Sequence, residues 1–256
     1  MSGPKGRLLS LDALRGADML MLTGFSALVI KACEAAGAKG CWLARQFEHA
    51  PWHGMTFEDT IFPLFLFLSG VSWSFSRAKS RAKGLPTPRI VGKVLIRSFW
   101  LIVLGFAYAP LFQFDFRNVY WDSVLTHIGI CWGAAALVTL FVQDNRRRLV
   151  LAAVTLVGYW LLLRFCLAPD RAVLLASTDP QVMAKVAEYA GFGTDGFSFT
   201  GNLAGWVDRL LVPGRFYEGC FHADGLLTKV TGTVSVLLGV WAGDLLRRTD
   251  LDACRR

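Results

Sequence analysis

Residues Glu48 to Gly70 read EHAPWHGMTFEDTIFPLFLFLSG. The first half crowds titratable and donor groups together: Glu48, His49, Trp52, His53, Thr56, Glu58 and Asp59. From Thr60 to Ser76 the next 17 residues carry no charge and are rich in Phe and Leu. At ~1.5 Å rise per residue a helix of that length nearly crosses a ~30 Å hydrocarbon core. The stretch therefore predicts a reactive loop fixed to the mouth of a membrane-spanning helix.

Outward from this stretch, the composition agrees. Of 256 residues 54% are hydrophobic and 18% charged, with nine Trp and nineteen Phe, and the mean hydropathy is +0.44. A soluble domain carries roughly 25% charge. The apolar residues fall in long blocks, which points to a polytopic membrane protein and away from an amphipathic soluble fold. Nucleic acid is not the expected partner despite a net charge of +8. The Lys and Arg residues concentrate in Lys5 and Arg7, Arg77 to Arg97, Arg146 to Arg148 and Arg247 to Arg256. These clusters alternate with the apolar blocks, as the cytoplasmic loops of membrane proteins do.

The fold expected is an all-α polytopic bundle of six transmembrane helices with both termini cytoplasmic. The spans run from about Leu11 to Ile30, Phe57 to Ser76, Ile90 to Phe112, Val119 to Val142, Leu149 to Leu167 and Leu226 to Leu246. Pro86 and Pro88 are expected to break any helix between the second and third. Residues 31–56 and 169–223 then lie outside. Lys5 and Arg7 lead into a polar SLDALRGAD and not an apolar core with a cleavage site, so the first helix reads as an uncleaved anchor. The protein is expected to be integral and multi-pass, in the cytoplasmic membrane of a bacterium if the source is bacterial, with lipid as one partner. A homo-oligomer is compatible with this reading.

Asp12, Arg15 and Asp18 recur every three residues near the inner end of the first span. Charges at that depth pair with one another or line a wet cavity. GFGTDG, with Gly191, Gly193 and Gly196, matches a dinucleotide-binding spacing but follows no strand and lies in an outer segment, so it is set aside. The six cysteines show no CxxC or CxxH spacing, and Pro51 disrupts helical spacing between His49 and His53, so no metal site is expected. Cys33, Cys41 and Cys220 fall on the outer side, where a disulfide among them is chemically allowed. With no GxSxG elbow for a hydrolase, what remains is a histidine beside carboxylates at a membrane mouth. An imidazole, whose unperturbed pKa is about 6.5, suits a general base, and a hydrogen-bonding loop cap fits the residues equally well.

Several blocks resemble the heparan-α-glucosaminide N-acetyltransferase family, in the family's order and over most of the chain. They are LSLDALRG (Leu9 to Gly16), the stretch quoted above, GKVLIRSFWLIVLG (Gly92 to Gly105), SVLTHIGI (Ser123 to Ile130) and WVDRLLVPGRFYEG followed by HADGLLTKVTGTVSVLLGVWAG (Trp206 to Gly243). The resemblance implies one membrane-embedded acyltransferase-like domain over residues 1–256. Acetyl-CoA would be the cytoplasmic co-substrate, and a sugar or amino sugar the acceptor on the opposite side. It places the family's active-site histidine at His49, as general base or acetyl relay; Glu48, Glu58 and Asp59 are the nearby carboxylates able to orient it. Electrostatics assigns Arg15, Lys93 and Arg97 to the phosphates of CoA, and Trp52, Asp122 and Asp224 to the acceptor.

The chain departs from the family in three places. His127 stands where the family has Arg, and HADG (His222, Ala223, Asp224) where it has DPEG. The family continues through further helices, whereas this chain stops at Arg256, so an incomplete C-terminus is expected. The competing readings are a transport or non-catalytic membrane protein, whose carboxylates and His49 line a path, and an inactive fragment. The sidedness has a direct test. A membrane-impermeant thiol reagent is expected to reach a cysteine at residue 196 from outside intact cells, and one at residue 84 only after permeabilisation; the reverse pattern would invert the topology.

Overall fold

A computed structural model describes residues 9–113, 123–212, 216 and 220–247. Among these the chain is helical, with six helices long and apolar enough to cross a membrane. They are α1 (Leu9–Ala35), α3 (Phe57–Ala82), α4 (Thr87–Gln113), α5 (Val124–Phe141), α6 (Asn145–Phe165) and α10 (Thr228–Leu246). Short helices α2 (Trp42–Gln46), α7 (Arg171–Leu175), α8 (Pro180–Glu188) and α9 (Leu203–Leu211) lie in the two long connections.

Several boundaries differ from the hydropathy reading, for local reasons. α3 runs six residues past Ser76 because RAKSRA consists largely of good helix formers. Residues 83–86 interrupt the helices as expected, and α4 resumes at Thr87 with Pro88 in its first turn, where a missing N–H costs nothing. α6 starts at Asn145, so the arginine triplet is its first turn, capped by the Asp144 side chain accepting from Arg146 N. α1 is interrupted at Met21–Phe25, where Gly24 takes φ +111°, a conformation a side chain would oppose. Arg15 and Asp18 do not act as one ladder: Arg15 is exposed to a cavity described below, and Asp18 is buried. The fourth span's expected start at Val119 falls outside the described residues.

The bundle is built on α3 and α10. A Cβ at Gly70 of α3 would strike the Val236 carbonyl, one at Gly239 of α10 the Phe67 carbonyl, and one at Gly243 the Val71 carbonyl and Ser74. The two backbones are in direct contact, as small residues permit between membrane helices. α5 packs against the same pair and α4 packs on α5, where Gly129 and Gly133 give room to Ser98, Leu101 and Ile102. Leu66, Trp73, Val94, Cys131, Trp132, Val236 and Val240 fill the centre. Val150, Val154, Val157 and Trp160 of α6 are exposed, the surface that lipid covers.

At the basic end of the bundle one carboxylate gathers three arginines. Asp244 of α10 accepts from Arg77 of α3 (2.7 Å), Arg148 of α6 (2.9 Å) and Arg247 (3.2 Å), and from Ser74 Oγ. Arg77 and Arg148 also donate to the Thr139 carbonyl at the end of α5. Their side chains are only 7% and 2% exposed. Four helix ends are thus tied to one point.

In the connection between α6 and α10 the described residues pack together as a cap over the His49 end of the bundle. Arg209 of α9 clamps Asp170 through two hydrogen bonds (2.7 and 2.9 Å) and donates to the Cys220 carbonyl (2.7 Å). Buried Asp208 accepts from Leu226 N (2.8 Å) and fixes the approach to α10. The GFGTDG segment is a turn: Asp195 Oδ1 accepts from Phe197 N (3.0 Å), and a Cβ at Gly196 would meet the Leu163 carbonyl. Exposed Thr194 is for that reason a better cysteine site than residue 196.

Removing a carboxylate that holds two buried guanidinium groups leaves uncompensated charge, a loss of about 3–5 kcal/mol. Asp244→Ala is therefore expected to lower the thermal unfolding temperature in detergent sharply, and far more than Arg247→Ala. Gly239→Val is expected to cost about 1–3 kcal/mol by overpacking, read in the same assay.

Candidate active site

The loop before α3 is shaped by a capping box. Thr56 caps α3, its side chain accepts from the backbone N–H of Asp59, and the Asp59 carboxylate accepts in return from Thr56 N (2.9 Å). The same carboxylate oxygen also accepts from Ala50 N (3.2 Å). Its other oxygen lies 2.8 Å from His49 Nδ1. A carboxylate receiving several donors acts as acceptor here too, so the proton between the two groups belongs to Nδ1. That leaves the lone pair of Nε2 for chemistry. The His49 side chain is 76% exposed.

His49 and Asp59 line a cavity of about 590 Å³, together with Trp52, His53, Asn202 and Ala223. Trp52 also anchors the loop. Its Nε1 donates to the Phe197 carbonyl (2.7 Å), and the ring packs within 5.5 Å of Tyr189, Phe199 and Phe221. This aromatic cluster joins the His49 loop to the cap. His53 turns to the same cap, with Nε2 3.3 Å from the Phe192 carbonyl. The two histidines of HAPWH have different partners. No group of three or more metal-binding side chains gathers among the described residues.

Glu58 and Asp59 are adjacent in sequence and face different ways. Glu58 accepts a hydrogen bond from Ser26 of α1, so it braces α1 while Asp59 holds His49. Ala223 of HADG reaches the cavity wall, and Asp224 lies just beneath. Asp224 Oδ1 is 3.5 Å from His127 Nδ1, and its backbone carbonyl accepts from Lys229 Nζ (2.5 Å). Burial raises the Asp224 pKa above the ordinary carboxylate value, partly offset by Lys229, His222 and His49. Asp122 lies outside the described residues.

Lys229 is not among the site residues expected from sequence, yet its side chain is buried in the first turn of α10. An ionisable residue at the edge of an apolar span is a recognisable signal, and here it completes a cluster of opposite and titratable charges with Asp224, His127 and His222.

A second cavity, about 270 Å³, lies between α3, α4 and α5, with Arg15 of α1 at its side. Arg15, Arg97, Ser69, Ser72, Ser76 and Trp132 line it, and the Arg97 guanidinium stacks 4.4 Å over Trp132. Two of the three cations expected for CoA share this space. Lys93 is exposed and is not among the lining residues. Two guanidinium groups, an indole and three hydroxyls fit a phosphate-bearing or planar group. The volume is just below that of a typical small-molecule pocket.

No protein-family profile matches the chain. Heparan-alpha-glucosaminide N-acetyltransferase from Homo sapiens is 27% identical over 278 aligned positions, covering 94% of this chain and 38% of that protein. The Mus musculus protein of the same name is 26% identical, over 78% of this chain and 35% of its own length. Along most of its length the chain is thus similar to heparan-alpha-glucosaminide N-acetyltransferases, of which it spans little more than a third.

Proposed function

We propose that the protein is a membrane acetyltransferase that moves an acetyl group from acetyl-CoA, reached from the cytoplasmic side, to a sugar or amino sugar on the opposite side. The observation that carries this reading is the His49–Asp59 pair facing a cavity whose wall includes the HADG loop. The similarity to named N-acetyltransferases supports the reaction class.

In this reading His49 Nε2 takes a proton from the acceptor amine or hydroxyl as that group attacks the thioester carbonyl. The new N–C or O–C bond forms, the C–S bond breaks, and the imidazolium returns the proton to the departing thiolate. Asp59 keeps Nδ1 protonated and the ring aimed, and it stabilises the imidazolium, as the carboxylate does in hydrolase triads. In the same reading Asn202 of the cavity wall meets acceptor hydroxyl or amine groups, and Asp224 stands behind Ala223. Arg15 and Arg97 hold anionic parts of the donor. Along α3, Asp59 and Ser69 are ten residues apart, or ~15 Å, so the donor's thioester arm has to reach outward along that helix.

His49→Ala is expected to lower turnover by about 10²–10⁴-fold, the usual loss of general-base help, with acetyl-CoA binding nearly intact. His53→Ala should do much less, because its partner is the cap. Turnover measured as thiol release in membranes, with acetyl-CoA binding measured separately, decides the matter. Equal effects of the two substitutions, or loss of acetyl-CoA binding in His49→Ala, would remove His49 from this role. Thiol release before any acceptor is added would replace direct transfer by an acetyl-imidazole relay.

A further inference from the structure

α1 ends at Ala35 and the chain turns back through two tight steps. Ala38 N donates to the Cys33 carbonyl (2.9 Å), and Cys41 N donates to the Ala38 carbonyl (3.1 Å). These turns bring Cys33, in the last turn of α1, against Cys41, the residue that caps α2. The two side chains interact with one another, and both residues are thiols in this structure. The other described cysteines are placed differently. Cys131 is buried in the bundle core, Cys166 is at the end of α6, and Cys220 packs with Phe199 and Phe221 in the cap.

We propose that Cys33 and Cys41 form a disulfide that ties the outer end of α1 to the segment leading into His49. The proposal rests on the reading that residues 36–56 face the extracytoplasmic side, where oxidising conditions sustain disulfides. Each thiol loses a proton, the S–S bond forms, and two electrons pass to a disulfide oxidant, which leaves as two thiols. Cys41 is the suited attacking group. Its sulfur accepts from Ala44 N (3.5 Å), and that hydrogen bond lowers its pKa, which favours the thiolate.

The bond would act on the segment between Cys41 and His49. α2 leads directly to Phe47, whose ring packs edge-on against Phe25 of α1 (6.2 Å) and Phe57 of α3 (5.5 Å). His49 is two residues further on. A bond between Cys33 and Cys41 fixes the first end of a segment whose second end is held by Phe47 and Asp59.

Trypsin cleavage after Lys31, Lys39 and Arg45 separates the two cysteines into peptides 32–39 and 40–45. Cells are alkylated before lysis and the purified protein is digested without reductant. The expected product is one linked species, two hydrogens lighter than the sum of the two thiol peptides. Reduction should split it, Cys220→Ala should leave it unchanged, and Cys33→Ala should leave Cys41 alkylated. A second arm places Lys39→Cys in a Cys33→Ala/Cys41→Ala background and labels intact cells with an impermeant reagent. If that position labels from outside while native Cys33 and Cys41 are recovered alkylated, the disulfide is overturned and the topology stands. If it labels only after permeabilisation, the sidedness on which the proposal rests is what fails.

Discussion

The direct contact between the backbones of α3 and α10 sets the rest of the structure. Lipid supplies no hydrophobic drive to bring two apolar helices together, so close packing has to do it. Gly70, Gly239 and Gly243 remove the side chains that would hold the helices apart. The consequence reaches the candidate site because each helix carries one wall of it. The first turn of α3 carries Asp59, which holds His49, and α10 is preceded by the HADG loop. A change of register between the helices would separate these walls.

A second constraint fixes that register from the other end. Asp244 draws Arg77 and Arg148 onto one carboxylate, and the arginines close the last carbonyls of α5. Such a cluster is costly to desolvate, and its formation is repaid only when geometry is good and remaining donors are satisfied. Those conditions select one arrangement of α3, α5, α6 and α10. The glycine contacts run along the same helix pair from Gly70 to Gly243, which adjoins the ion cluster at Ser74 and Asp244. Both leave α1, α4 and α6 with broad lipid-facing surfaces.

The loop that carries His49 is held by a different kind of interaction. Trp52 inserts between Tyr189, Phe199 and Phe221 and donates to the Phe197 carbonyl. Aromatic rings contribute large contact areas with few rotors, and a buried indole N–H requires a partner. The tryptophan of HAPWH therefore secures the loop while it also borders the cavity. The result is a histidine that is mostly exposed and yet oriented, because its loop is fastened at Trp52 and its ring at Asp59.

By itself the sequence determined the helices and the neighbourhood of the site. Hydropathy is a property of each segment, and a helix satisfies its backbone within that segment, so the spans could be read without tertiary information. His49 and its choice of nearby carboxylates were legible for the same local reason. Which carboxylate serves was decided by helix phase: consecutive residues Glu58 and Asp59 point ~100° apart, one to Ser26 and the other to His49. Arg97 enters the second cavity and Lys93 does not, because only one lies beside Trp132. The Arg77–Asp244 pair joins residues 167 positions apart. Arg77 read as a loop charge, and Asp244, an acid near the end of the last span, gave no indication of its partners. Such pairs exist only after the helices cross, since their energy comes from shared burial, and burial is not encoded by any one segment.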